Sequence, residues 1–522
     1  MERRVLLAAI LSGLVIVVWY ALFGPSPSSN PGAVHQPSPS AVVSAGPTAA
    51  TPEATPTAPV AAPAADARPA LKGVDETLVT LEGQGVRAVV SPQGGVIRSL
   101  VLTAYLDNLG QPLELLRPGD RNPLRLAVDG AWNQDLYVVE RSPGEIVLRW
   151  SDGQGSWVEK RLAVGSGKFG LKVEVSAGGA PGRSGVVVAS GMAESGKDEG
   201  QFAVSDSVVR AQGSLEKINP AKIKDVWTAR GSVDFAGVEN RYFLVALLPD
   251  AGMTDVEVRS REPRVAEVVV RGEGGRASGT LYAGPKDHTI LEAYGRSLAG
   301  TVSFGIFGFL SVGFLAALRW IHGYVGNWGV AIIVLTAGIR VLLFPLNHKA
   351  TISMRRMQKL QPKMTAIQDR YKERAKKDPQ VRARMNQEIM GLYKTEGINP
   401  MGGCLPNLAQ LPILYALYTL FAYAIEMRQA PFAWWIKDLS LKDPTYITPI
   451  LMTASWFLQQ RLSPPVGDPA QRRMFMFMPL IFGLMFMNFP AGLVLYWLVN
   501  NLLTIAQQVL TQKMLERTEA TA

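Results

Sequence analysis

The run WGVAIIVLTAGIRVLLFPL, Trp328 to Leu346, is apolar over the length needed to cross a bilayer, except for one arginine, Arg340, about two thirds of the way along. An arginine at the centre of a membrane helix costs about 2.5 to 3.5 kcal/mol on insertion scales, so such residues pair, line a water-filled space or snorkel to the interface. Snorkelling is open to Arg340, which stands six residues before Leu346 on a long flexible stem. The polar residues of the other apolar segments have to decide between these readings.

The segment after the run sets its direction. Residues 347–400 hold 13 Lys and Arg against 5 Asp and Glu, and a basic segment directly after an apolar helix marks the cytoplasmic side. The same placement accounts for the net charge of +10 without a nucleic-acid partner. At the start of the chain, Arg3 and Arg4 precede an apolar stretch that ends in bulky residues (Trp19, Tyr20, Phe23) unsuited to a signal peptidase. Residues 1–23 therefore read as an uncleaved signal-anchor helix with a cytoplasmic N-terminus. Residues 24–70 hold eleven prolines and too few large apolar groups to offset the entropy of ordering, which predicts a disordered linker outside the membrane.

Residues 71–293 change pattern. VRAVV (86–90), VIRSLVL (96–102), EIVLRW (145–150), SWVEKRLAV (156–164), FGLKVEV (169–175), RYFLVALL (241–248) and AEVVVR (266–271) are short runs with period-two alternation, broken by Gly, Pro and Asp. So many strands without interleaved helices predict a large antiparallel β-sandwich. Gly165, Gly167 and Gly170 fit G-x-G-x-x-G but join two strand patterns, so they read as a hairpin turn. Gly191, Gly196 and Lys197 approach a P-loop, but Asp198 stands where the magnesium-binding hydroxyl belongs. One cysteine, Cys404, forbids an intrachain disulfide, and with four scattered histidines it makes no zinc constellation, so neither metal nor cofactor is expected.

Residues 301–320 are apolar enough to count as a crossing. An odd number of crossings must separate the outer β-domain from the basic 347–400 segment, and 328–346 supplies one. Residues 301–322 therefore read as an interfacial amphipathic helix with Arg319, Trp320 and His322 at its wet end. Residues 347–400 read as a cytoplasmic helical hairpin. Met357, Leu360, Met364, Ile367 and Tyr371 form the seam of one arm, which Pro362 should kink. Lys377-Asp378-Pro379 makes the turn, and Val381, Met385, Ile389 and Leu392 line the return. A solvated connector and a partner-docking surface (Met357, Leu360, Met364, Tyr371, Met385) are both open. Four further spans lie within 405–512, before a short cytoplasmic tail, 513–522. The expected whole is a multi-domain membrane protein: an α-helical bundle of one anchor and five core transmembrane helices, a large antiparallel β-sandwich outside the membrane and a cytoplasmic hairpin.

This orientation assigns a depth to every polar residue of the spans. Asn407 and Gln410, Gln459 and Gln460, and Asn500, Asn501, Thr504, Gln507 and Gln508 all fall in the cytoplasmic half, at the level of Arg340. Packing by interhelical hydrogen bonds would explain such residues. Their concentration around an arginine, with no acidic residue in these spans, favours a hydrated inner-leaflet cavity closed on the outer side. Residues 474–489 add five Met and five Phe, soft side chains suited to varied apolar partners and equally to ordinary membrane packing.

Several strings are more specific: WIHGYVGNWG (320–329), Arg340 with Pro345-Leu346, LQPKM (360–364), LYKTEGINPMGGCLP (392–406), RQAPF (428–432), WIKDLSLKDP (435–444) and FPAGLVLYWLVNN (489–501). With these the chain resembles the YidC/Oxa/Alb family of bacterial inner-membrane protein insertases. The resemblance implies a periplasmic super-sandwich akin to galactose mutarotases and a positively charged groove open to cytoplasm and lipid. It also implies a non-enzymatic insertase and chaperone that acts alone or beside the Sec translocon. Its groove arginine falls on Arg340, the neighbouring threonine on Thr336, and the aromatic client contact on Tyr496 and Trp497, where Trp replaces an expected second Tyr. Nascent membrane proteins, the Sec translocon, membrane lipids and a ribosome or signal-recognition receptor are the implied partners. A small-molecule transporter is the rival class; it would show inverted repeats and broken spans. A periplasmic carbohydrate enzyme would need a carboxylate pair in a cleft. The tether and the position of the groove residues further predict a β-domain dispensable for insertion.

Overall fold

The computed structural model describes residues 68–521 except 108, 117–124, 129–133, 180–183, 190–191, 193–204, 263–264, 273–274, 398–404 and 463–468. The anchor 1–23, nearly all of the linker and the P-loop-like stretch lie outside the described residues.

All seven strand patterns form strands, and they divide between two antiparallel sheets, each of nine strands among the described residues. Val86–Ser91, Val96–Leu106 and Val265–Gly272 belong to one; Glu145–Ser151, Trp157–Val164, Gly170–Gly178 and Phe243–Pro249 belong to the other. Trp157–Val164 alternates buried and half-buried side chains, as a strand with one face on a core requires. Leu100, Val186 and Val256 of the first sheet share one buried cluster with Leu148, Val173 and Leu247 of the second, so the domain is a sandwich. The three-glycine stretch is a hairpin turn: Gly165 N–H donates to the Gly170 carbonyl at 3.0 Å, between strands paired from Trp157 to Gly178. Leu71 bridges Ser151, and Arg68 already lies over the Trp157 ring at 3.6 Å.

A buried ion cluster ties the sandwich to the segment that leaves it. Glu239, 1% exposed, meets Lys217 Nζ at 2.7 Å and Lys286 Nζ at 2.9 Å, and Lys217 also donates to the Thr301 carbonyl at 3.0 Å. Burial alone would raise the Glu239 carboxyl, but the Lys286 and Lys217 ammonium groups hold it below its ordinary range. Its stabilisation is therefore fully present above the unfolded-state pKa of about 4.3 and is lost as pH falls through the lower folded value. Glu239→Gln leaves two ammonium groups facing a neutral amide and is expected to cost about 3 to 5 kcal/mol near pH 7. Melting curves of the full chain should show the gap between wild type and variant shrinking at acid pH. A gap independent of pH would contradict the assignment.

The helices are α1 (His288–Tyr294), α2 (Gly308–Val325), α3 (Trp328–Lys359), α4 (Gln361–Lys377), α5 (Pro379–Thr395), α6 (Leu405–Tyr423), α7 (Ile447–Leu462), α8 (Pro469–Phe486) and α9 (Ala491–Thr521). Among the described residues α2, α3 and the Ala491–Thr511 part of α9 are long and apolar enough to cross a membrane. The amphipathic stretch begins at Gly308, because residues 302–307 are not helical. It buries Ser311, Leu315, Leu318 and Ile321 and exposes Phe309, Trp320 and Tyr324.

Two expected boundaries move. α3 does not end at Leu346: it continues to Lys359, 32 residues or about 48 Å, well beyond a hydrocarbon core of about 30 Å. Pro345 only removes one donor, and no helix-stop signal comes until Leu360. Met357 thus belongs to the end of α3, outside the hairpin arm. Pro362 kinks no arm, because it occupies the first turn of α4, where a missing N–H costs nothing. Likewise α9 runs through residue 512 to Thr521, so the expected tail continues the last helix.

Leu360–Gly397 forms a compact unit by itself. Asp378 caps α5 through Gln380 N–H at 2.8 Å with Pro379 as first helical residue, which is the turn read from Lys377-Asp378-Pro379. Ile367 and Met385 form its small core, with Tyr371, Val381, Ile389 and Leu392 packed around them. Tyr393 Oη contacts Met364 Sδ at 3.1 Å, and Lys363–Glu396 and Arg370–Glu388 pairs brace the arms. Leu360 is 5% exposed.

Candidate functional site

Arg340 does not snorkel. Its Nε donates to Asn500 Oδ1 at 2.8 Å, and one Nη donates to the Asn500 carbonyl at 3.2 Å and to the Thr504 hydroxyl. Asn500 and Thr504 are one turn apart on α9, and the Thr504 hydroxyl also returns a bond to the Asn500 carbonyl at 2.6 Å. Gln410 of α6 completes the set, its amide 3.4 Å from both Tyr496 Oη and Asn500 Oδ1. Asn500 is 8% and Tyr496 2% exposed, so three helices converge on the guanidinium through neutral polar groups, with no acidic side chain in ion-pair contact with it among the described residues. On the same helix Val341 and Leu342 are 74% and 79% exposed, which places the arginine at the border between the polar site and an open apolar face.

The other expected site residues divide. Thr336, 1% exposed, bonds back to the Ile332 carbonyl at 2.6 Å and lies one turn before Arg340. Gln508 continues the Asn500–Thr504 stripe by another turn and is half-buried. Gln459 is half-buried near the end of α7. The Asn407 side chain lies outside the described residues. Trp497 is not brought to Arg340: its ring lies 4.8 Å from Phe486 and 6.1 Å from Trp456, in an aromatic cluster with α7 and α8. One residue along a helix turns a side chain by about 100 degrees, so Tyr496 and Trp497 cannot share a face. Asn501 likewise faces α7, donating to Ser455 Oγ at 3.2 Å.

Sequence reasoning expected closure on the outer side but missed the segment that builds it. Residues 424–446, between α6 and α7, fold into a cap. Asn327 donates to the Phe432 carbonyl at 2.9 Å, and a Cβ on Gly329 would lie 2.1 Å from the Phe432 ring, so only glycine lets α3 begin there. Ala491 and Gly492 N–H groups, at the start of α9, donate to the Leu441 and Leu439 carbonyls at 2.7 and 2.9 Å. Asp443, 1% exposed, caps α7 by accepting from Thr448 N–H at 2.8 Å and from Thr445 N–H at 2.9 Å. The strings RQAPF and WIKDLSLKDP are this cap.

The cap is also held from the β-domain. Arg428 and Gln429 donate to the Leu106 carbonyl at 2.8 and 3.1 Å, and Ile425 belongs to the sandwich's buried cluster. Arg319 of α2 pairs with Glu426 and lies 3.2 Å from Asp287. Backbone and charge contacts thus join the β-domain to the helices in addition to its tether.

A β-sandwich docked on apolar helices, with one arginine held by neutral polar side chains between them, makes an integral membrane protein with a globular exodomain. The 60Kd inner membrane protein family matches residues 320–518, and the YidC periplasmic domain family matches residues 78–316. The membrane protein insertase YidC of Geobacter metallireducens is 35% identical over the whole of both chains, and that of Syntrophus aciditrophicus is 31% identical over 98% of this chain and all of its own. The crystal structure of YidC from Thermotoga maritima is 15% identical, with a TM-score of 0.32 over 84% of this chain and 99% of that one. The chain belongs to the YidC family of membrane protein insertases. The comparisons lend no support to a small-molecule transporter.

Proposed function

We propose that the chain inserts and helps fold membrane proteins of the bacterial inner membrane through a groove built around Arg340. The observation that carries this reading is the direction of Arg340, whose guanidinium turns from the lipid-facing side of α3 to Asn500 and Thr504. A polar stripe half-way through a bundle shortens the distance over which a client's hydrophilic segment lies in hydrocarbon, and a fixed cation attracts acidic client residues. The cap at residues 424–446 supports a groove that is shut toward the outside, so that clients enter from the cytoplasm and leave sideways into lipid. Both termini and the hairpin are then cytoplasmic, and the β-domain is periplasmic. The Sec translocon assists with larger clients, and the hairpin, a compact unit of its own, docks a ribosome or a signal-recognition receptor. No catalytic step is required, because the work is transfer between solvents.

The test is reconstitution of the purified full chain in liposomes with a short single-span client and no other protein. Protease protection of the client's translocated segment is expected well above protein-free liposomes. Protection equal to that background would overturn the reading.

A further inference from the structure

Arg241 stands between the strands Val233–Asn240 and Phe243–Pro249 and is only 2% exposed, yet its guanidinium reaches out of the sandwich to the helices. Its Nε donates to the carbonyl of Ala422, in the last turn of α6, and an Nη donates to the Ser440 carbonyl at 3.2 Å. A cation is withdrawn from water at large cost unless its donors are used, and here two of them are used on backbone outside the domain that carries it. The neighbours of Ser440 are the two residues that receive the first N–H groups of α9: Leu439 from Gly492 at 2.9 Å and Leu441 from Ala491 at 2.7 Å. A Cβ on Gly492 would lie 3.2 Å from the Leu439 oxygen, so this seat tolerates little displacement. Asn500 and Thr504, which hold Arg340, lie further along the same rigid helix.

We infer that Arg241 is a positioning residue for the polar site: it clamps the outer cap from the β-domain side, and through Leu439 and Leu441 it fixes the start of α9 and hence the depth at which Asn500 and Thr504 meet Arg340. The β-domain thus contributes to the groove from the side opposite the client's entry, by two hydrogen bonds to main chain. The functional arm of this inference rests on the insertase reading; the structural arm does not.

Hydrogen exchange of the full chain in detergent, read at Ala491 and Gly492, tests it. Arg241→Met keeps the bulk of the side chain and removes its donors. It should speed exchange at these two amides about tenfold or more while the strand Phe243–Pro249 stays protected. Arg230→Ala, an exposed arginine of the same domain at 86% side-chain exposure, should change neither. Insertion by Arg241→Met should fall equally for clients with acidic and with neutral translocated segments, because the site is displaced and its charge is kept. Unchanged exchange at Ala491 and Gly492 would overturn the clamp whatever the insertion assay gives. Loss of protection throughout Phe243–Pro249 would overturn it too, by making Arg241 a residue of general stability. Arg241→Lys keeps a cation at the carbonyls but not the fork, so relative to Arg241→Met it should recover part of the protection and of the insertion together; recovery of neither, or of one without the other, counts against the proposal.

Discussion

Arg340→Ala should lower the insertion rate of clients with acidic translocated segments by about tenfold or more and leave clients with neutral segments within about threefold of wild type. The charge is what separates the two classes, since the neutral groups at Gln410, Asn500 and Thr504 still hydrate the site and reduce the desolvation cost without it. Arg340→Lys should keep the discrimination, because a cation remains at the same depth. It should nonetheless lower stability by about 1 to 2 kcal/mol, because an ammonium cannot reproduce the fork that meets the Asn500 amide, the Asn500 carbonyl and the Thr504 hydroxyl together. The two readouts therefore separate charge from geometry. A lysine variant that loses discrimination along with the alanine variant would show that the fork, and not the charge, sorts clients.

Asp443→Ala should be the most damaging single change in the outer cap. The carboxylate is 1% exposed and takes bonds from the Thr445 and Thr448 amides and from both their hydroxyls, with Trp435 Nε1 at 3.3 Å. Removing it strands buried donors at the start of α7 and is expected to cost about 3 kcal/mol, whereas Asp443→Asn, which keeps an acceptor oxygen, should cost about 1 kcal/mol. Burial alone would raise this carboxyl, and the Thr448 and Thr445 hydrogen bonds hold it below the ordinary aspartate range. Its contribution is therefore constant above a pH of about 4 and is lost only as pH falls through the depressed folded value. Melting of the two variants against wild type at neutral pH measures the ordering. Equal costs for Ala and Asn would mean that the charge alone, rather than the accepting geometry, holds the cap.

The strands and the polar site are legible in the sequence because both rest on short-range periodicity. Trp157–Val164 alternates at period two on one core face, and Asn500 and Thr504 recur at the spacing of a helix face, so both can be read without knowing any partner. That Trp497 turns away from Arg340 while Tyr496 does not follows from the helix itself, since adjacent residues look in different directions. The outer cap is illegible for a different reason. Its hydrogen bonds join residues 424–446 to 327, to 491–492 and to the β-domain, and irregular backbone that satisfies itself through distant partners leaves no repeating pattern. Arg241 carries no signal of its contacts, since it reads as the polar first residue of the strand run RYFLVALL (241–248). The extension of α3 to Lys359 is hidden by the shift from apolar to basic composition, which marks the edge of the hydrocarbon but places no stop on the helix.

On the proposed insertase reading, a client's hydrophilic segment should pass along the Asn500–Thr504–Gln508 face of the last helix. A photoactivatable side chain placed at Gln508, and in separate variants at the outward Leu502 and Leu510, which are 51% and 57% exposed, can be crosslinked to a nascent client arrested part-way through insertion. Adducts to the client's translocated polar segment should form at Gln508 in several-fold excess over Leu502 and Leu510. Equal yields at the three positions, or an excess at Leu502 and Leu510, would place the polar segment outside the groove and contradict the account.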